Sequence, residues 1–127
     1  VGIPGNGGEE VCYFGQWEEI RTVGAVDKSG IPWNYSNHGS TVDLVGPGVD
    51  VLSLMPDGTS ERRSGTSFAA AHVAGAAALV LSVEPELSVE QLTEILIDTA
   101  RDLAEPGYDP KTGYGLVNVE EAISTMR

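Results

Sequence analysis

Apolar and polar positions along the chain alternate between short strand-like runs and longer helical stretches. Arg21 to Asp27 (R-T-V-G-A-V-D) is a short apolar run bounded by charges and reads as a buried strand. Asp43 to Val45 and Val49 to Ser53 read as two further short strands, separated by a turn at Gly46-Pro47-Gly48. Val1 to Gly8 opens apolar and falls into a glycine turn, which reads as the end of a buried strand followed by a loop. A chain opening inside a strand suggests a cleaved or trimmed piece of a longer protein. Phe68 to Ser82 is rich in alanine and apolar almost all round, which predicts a buried central helix ending near Pro85. A second helix is predicted from Val89 to Ala100. Ser88 is its N-cap, Gln91 completes a capping box, and Leu92, Ile95, Leu96 and Thr99 form its inner stripe. Gly113 to Val117 gives a turn and a short strand, and a last short helix follows Asn118, with Glu121 in the matching cap position. Interleaved strands and helices predict an α/β layer fold.

Composition narrows the function. At 127 residues with 41% apolar and 20% charged side chains, the chain suits one domain with one core rather than a disordered tail. Nineteen acidic residues against seven Lys plus Arg give a net charge of -12, which repels phosphate backbones and excludes a nucleic-acid partner. No uninterrupted apolar run of about 18 residues occurs, so no membrane span is expected. Cys12 is the single cysteine, which excludes an internal disulfide and reads as inert packing.

The candidate chemistry centres on Ser67. Gly65-Thr66-Ser67 before a helix has two readings. The serine is either a simple N-cap, or a nucleophile beside the free N–H groups and positive dipole end of the helix, with Gly65 permitting close approach of a substrate backbone. Asn6, between two glycines, reads locally as a turn residue. His72 follows Ser67 by five positions, about 500° of helical rotation, and so turns away from it. His38 lies in a turn and is expected to be solvated.

Gly65-Thr66-Ser67-Phe68-Ala69-Ala70-Ala71-His72-Val73-Ala74-Gly75 closely resembles the nucleophile motif of the subtilisin family of serine proteases, G-T-S-M/F-A-x-P-H-V-A-G, fitting ten of eleven positions. The likeness extends to Thr22–Asp27, to Tyr35-Ser36-Asn37-His38-Gly39, to Asp43–Ser53, to Pro4-Gly5-Asn6-Gly7 against A-G-N-x-G, and to Gly113–Asn118 against G-x-G-x-V-N. It covers nearly the whole chain outside residues 8–20.

The resemblance implies a three-layer α/β fold with a mostly parallel sheet, of which residues 1–127 are the C-terminal portion of a peptidase domain. It implies an endopeptidase acting on polypeptides, with Ser67 as nucleophile. The Asn6 amide and the Ser67 N–H would be the oxyanion donors, and Ile3, Pro4, Gly5 and Gly65 would line the substrate cleft. His72 would be structural. The general base and its orienting carboxylate belong to the motifs H-G-T-H and D-T/S-G, expected upstream and absent from these residues. The chain alone is therefore expected to be inactive, and to need the N-terminal segment of the same domain, or self-association, to cover its apolar surface. No cofactor is implied for this segment. Calcium is allowed in the full-length enzyme, and Asp43 is a weak cation candidate. Relatives are mostly secreted. The competing readings are a catalytically inactive fragment or a pseudoenzyme serving as a structural or binding module; the intact Ser67 and Asn6 argue against a pseudoenzyme. Two departures stand out. Ala71 replaces the motif proline, which restores a backbone donor and is expected to let the helix start shift. Phe14-Gly15-Gln16 replaces the Y/F-P-A element that shapes the P1 pocket.

Overall fold

The computed structural model describes residues 1–10, 17 and 19–126. Cys12 and Phe14-Gly15-Gln16 therefore lie outside the described residues. β1 (Thr22–Val26) is buried at every position, as its run of small and β-branched side chains requires of a strand covered on both faces. It pairs in parallel with β2 (Val42–Pro47). Single bridges continue this sheet on both sides, Gly2 running parallel to Thr22 beyond β1 and Leu116 parallel to Val45 beyond β2. The first segment is thus not the end of a buried strand. It joins the sheet edge through one residue, and Val1 is exposed.

The predicted turn at Gly46-Pro47-Gly48 begins later than expected, because Gly46 and Pro47 belong to β2 and pair with Ala25 and Val26. Sheet pairing overrides the turn propensity of the dipeptide. β3 (Val51–Leu54) follows and pairs antiparallel with β4 (Ser60–Arg63), an exposed strand whose charged sequence carries no apolar alternation. The tip of this hairpin is closed by Asp57, whose carboxylate accepts from the Thr59 N–H and hydroxyl.

α1 (Thr66–Val83) packs on β1 and β2 through the stripe Ala69, Val73, Ala76 and Val80, spaced three and four apart. α2 (Val89–Asp98) carries the full capping box, with the Ser88 hydroxyl accepting from the Gln91 N–H and the Gln91 side chain accepting from the Ser88 N–H. Leu96 is its buried residue, and Thr99 is buried at its C-cap. α3 (Val119–Ser124) is capped by Asn118, which accepts from the Glu121 N–H.

The expectation that α1 is buried on all sides is corrected. Only one stripe is covered, and the opposite face, with Ala71, Gly75, Ala78 and Leu79, borders an open apolar cavity of about 810 Å³ reaching Pro47 and Val117. Leu79 is 52% exposed. By length and composition α1 would also pass for a membrane span, with mean hydropathy 1.6 over 18 residues, although His72 and Ser82 interrupt it. Its packing against the sheet accounts for the apolar character of the covered stripe.

Asp43 sits where the β1–β2 register slips: Thr22 pairs with Val42 and Val23 with Leu44, leaving Asp43 as the extra residue. Its carboxylate takes the Thr22 N–H at 2.7 Å and faces Arg21 at 3.8 Å. Burial pushes its pKa above the ordinary 3.8, outweighing the opposing pull of the Thr22 N–H and Arg21.

Two outcomes follow from this architecture. A polypeptide of residues 1–127 alone is expected to elute as an oligomer on a sizing column, and Leu79→Glu to shift it toward monomer; a monomeric parent would contradict the exposed-face argument. For Asp43, the raised folded-state pKa means that its stabilising form is the protonated one, present below the unfolded pKa and lost as pH rises through the folded value. Asn at this position keeps an acceptor for Thr22. In thermal unfolding of the intact protein, Asp43→Asn is expected to lose less Tm than wild type between pH 4 and pH 7; parallel curves would count against the burial effect.

Candidate active site

The start of α1 is set by contacts between backbone groups. The Gly65 N–H donates to the Gly48 carbonyl at 2.8 Å, and the Gly48 N–H to the Val26 carbonyl at 3.0 Å, so the helix entrance hangs directly from the C-terminal end of β1. A Cβ at Gly46 would lie 2.7 Å from the Ala69 carbonyl oxygen, and one at Gly48 would lie 2.8 Å from the Gly65 oxygen and 2.6 Å from the Ala25 Cβ. The strand end must be glycine for the helix to dock this close. Ser64 holds the other approach, its hydroxyl accepting from the Asp50 N–H at 2.9 Å.

Helix α1 begins at Thr66 with Gly65 as N-cap, and Ser67 is its second residue. The N-cap reading of Ser67 is therefore replaced: the N-cap is Gly65, which has no side chain to cap with, and Ser67 is exposed in the first turn. Its own N–H is one of the first-turn donors that have no intrahelical partner. No acidic residue stands in that turn, so the positive end of the helix dipole is left uncompensated there.

Asn6 meets this turn through Thr66. Its Oδ1 accepts from the Thr66 N–H at 2.9 Å and from the Thr66 hydroxyl at 2.7 Å. With the carbonyl end of the amide so occupied, the NH₂ end is the part left to face outward; Asn6 Nδ2 lies 3.8 Å from where a Cβ on Gly65 would be. The structure thus brings Asn6, Gly65, Thr66 and Ser67 to one corner. Of the other residues singled out in the sequence, Pro4 is buried with its carbonyl accepting from Asn37, while Ile3 and Gly5 are half-buried on the same loop.

The Ala71 substitution leaves the helix beginning at Thr66 beside Asn6, and the Ala71 side chain faces the open cavity rather than this corner. His72 bonds the Phe68 carbonyl through Nδ1 at 2.8 Å. His38 is half-buried rather than solvated, lining a cavity of about 330 Å³ with Trp33, Ser36 and Lys111, because its backbone is tied to Glu9 at 3.0 Å. Among the described residues no group of three or more His, Cys, Asp or Glu side chains is placed to hold a metal ion. Sequence reasoning assigned no role to Thr66, which orients Asn6, nor to Asn37, which grips the Asn6 loop. Thr66 lay within the quoted motif, but the contact that matters is with a residue 60 positions earlier.

Residues 3–115 match the subtilase family. Subtilisin DY of Bacillus licheniformis is 39% identical over 124 residues, 96% of this chain and 44% of that protein. Subtilisin E of Bacillus subtilis (strain 168) is 40% identical over 112 residues, 88% of this chain and 29% of that protein. Among solved structures, a lanthipeptide protease superposes with a TM-score of 0.90 at 29% identity, covering 98% of this chain and 50% of that one. The self-cleaved protease domain of PatA does so at 0.81 and 32% identity, covering 98% and 48%. The fold is thus subtilisin-like, and the chain spans half or less of the length of each of these relatives.

The dependence of the corner on the glycines of β2 is directly measurable. Gly48→Ala is expected to destabilise the intact protein by about 1–3 kcal/mol, the usual scale of overpacking at a close contact. Urea unfolding that leaves the midpoint unchanged would show that the strand end has room to yield.

Proposed function

Because the chain belongs to the subtilase family, we propose that it is the C-terminal segment of a serine endopeptidase domain, with Ser67 as the nucleophile and Asn6 as a donor to the oxyanion. The observation that supports this reading is the bond pair from Thr66 to Asn6 Oδ1, which ties Asn6 to the residue before Ser67 and leaves the NH₂ as the end of the amide available to donate.

The chemistry follows from that corner. The Ser67 Oγ adds to the scissile carbonyl carbon, and its proton passes to a general base. Negative charge collects on the former carbonyl oxygen, where Asn6 Nδ2–H and the Ser67 N–H are the donors, supported by the uncompensated helix end. These dipoles are held before reaction begins, so little reorganisation is needed when the charge appears. The base returns the proton to the leaving amine, an acyl-enzyme remains on Ser67, and water hydrolyses it by the same steps. The base histidine and its orienting aspartate are assigned to chain outside these 127 residues, which by themselves are expected to be inactive.

The same N-terminal segment is the proposed occupant of the open α1 face, and polypeptides are the proposed substrates. Ile3, Pro4, Gly5 and Gly65 are proposed to line the cleft in which the substrate lies. Calcium in the full-length enzyme and export from the cell belong to the same proposal and rest on the resemblance to the subtilisins.

A fluorophosphonate probe applied to the full-length protein is expected to label Ser67 stoichiometrically. Ser67→Ala is expected to abolish labelling and lower kcat by about 10⁶-fold, and Asn6→Ala to lower kcat by about 10²–10³-fold; both magnitudes were established on a subtilisin and are carried over. An active protein whose Ser67→Ala variant keeps its kcat would overturn the assignment.

A further inference from the structure

We propose that Asn37 is a positioning residue for catalysis, acting through the loop that carries Asn6; this rests on the oxyanion role proposed for Asn6. The loop from Pro4 to Glu9 contains no helix or strand, so its shape must come from bonds made to it by other parts of the chain.

Asn37 supplies four of those bonds. Its Oδ1 accepts from the Gly7 N–H at 2.9 Å and from the Glu9 N–H at 3.0 Å. Its Nδ2 donates to the Pro4 carbonyl at 3.1 Å, and its backbone N–H to the Gly5 carbonyl at 2.9 Å. Neighbouring backbone completes the seam, with the Gly8 N–H donating to the Tyr35 carbonyl and the His38 N–H to the Glu9 carbonyl. The groups bonded by Asn37 fall on both sides of Asn6, two before it and two after.

Asn37 is 8% exposed, so water competes little for these groups. Gly5 has φ +117, and a Cβ there would lie 2.5 Å from Asn37 Nδ2, so the loop folds directly against the amide. Thr66 fixes which end of the Asn6 amide faces outward, while Asn37 fixes where the Asn6 backbone sits. Both are needed to hold a donor on a developing oxyanion.

Only an amide supplies this set. Aspartate at position 37 would still accept from Gly7 and Glu9, but would set an oxygen against the Pro4 carbonyl. Alanine would remove the side-chain bonds to Pro4, Gly7 and Glu9.

The test is a double-mutant cycle in the full-length protease, read as kcat at saturating substrate and well below each variant's Tm. Asn37→Ala is expected to lower kcat about 10- to 100-fold, the scale of a misplacement near 1 Å. Asn37→Asp is expected to lower kcat in the same direction by less, and it carries the cycle if the alanine variant fails to fold. In the Asn6→Ala background, each Asn37 substitution is expected to change kcat less than about twofold, because the donor it positions is already gone. Losses that multiply with Asn6→Ala, or Asn37 variants that change only KM or only Tm, would overturn the inference. If Ser67→Ala and Asn6→Ala behave as proposed while the Asn37 variants keep full kcat, this inference alone falls. An Asn6→Ala variant with undiminished kcat removes the oxyanion role and this inference together.

Discussion

A side-chain amide has an acceptor end and a donor end, and everything at the Ser67 corner depends on which end Thr66 holds. Two donors on one residue, the backbone N–H and the hydroxyl, converge on Asn6 Oδ1. Rotating the amide by half a turn would set its NH₂ against the Thr66 N–H, a donor facing a donor, and lose that hydrogen bond at a part-buried site; the hydroxyl could turn to accept, so the backbone N–H decides the orientation. The orientation of a group 60 residues away in sequence is therefore dictated from the first residue of the helix. Thr66 is buried and Ser67 exposed, so adjacent positions divide the work: one side chain holds the donor in place and the other is left free to react.

The scaffold beneath this corner joins rigid pieces through short links. β1 is wholly buried, β2 lies parallel to it, and α1 leaves the far end of β2 through Gly48 and Gly65. The Asn6 loop lies on the other side of β1, joined to it where Gly2 accepts from Val23 and donates to Arg21. Segments far apart in sequence reach one place because the parallel strands point their C-terminal ends the same way, an arrangement common to ligand sites in open α/β sheets.

Much of this was readable from the residues. The apolar run at 21–27, the Ser88–Gln91 capping box and the Asn118 cap declare their own local structure, because their partners lie within a turn or a strand. The eleven-residue string around Ser67 and the glycines around Asn6 marked the corner itself. The unreadable parts are those whose partners are remote. Gly46-Pro47 carries a turn signature yet pairs with Ala25-Val26. The β3–β4 hairpin has no apolar face to announce β4. Asn37 looks like any turn asparagine until Pro4, Gly7 and Glu9 are seen around it. The alanine-rich composition of α1 indicated a helix coverable on every side, but composition does not say which faces a given stretch of chain covers.

At Gly46 the strand rests on the main chain of Ala69, and at Gly48 on the Gly65 carbonyl with only the methyl groups of Ala25 and Ala69 beside it. A joint of this kind is indifferent to the identity of core residues further along. Exchanging one aliphatic residue for another at Val80 alters packing about three turns away from the contact, and changes how firmly the domain holds together rather than where its reactive hydroxyl stands. Such a protein can drift widely in its interior, or be repacked by design, while the coordinates of its chemistry stay put.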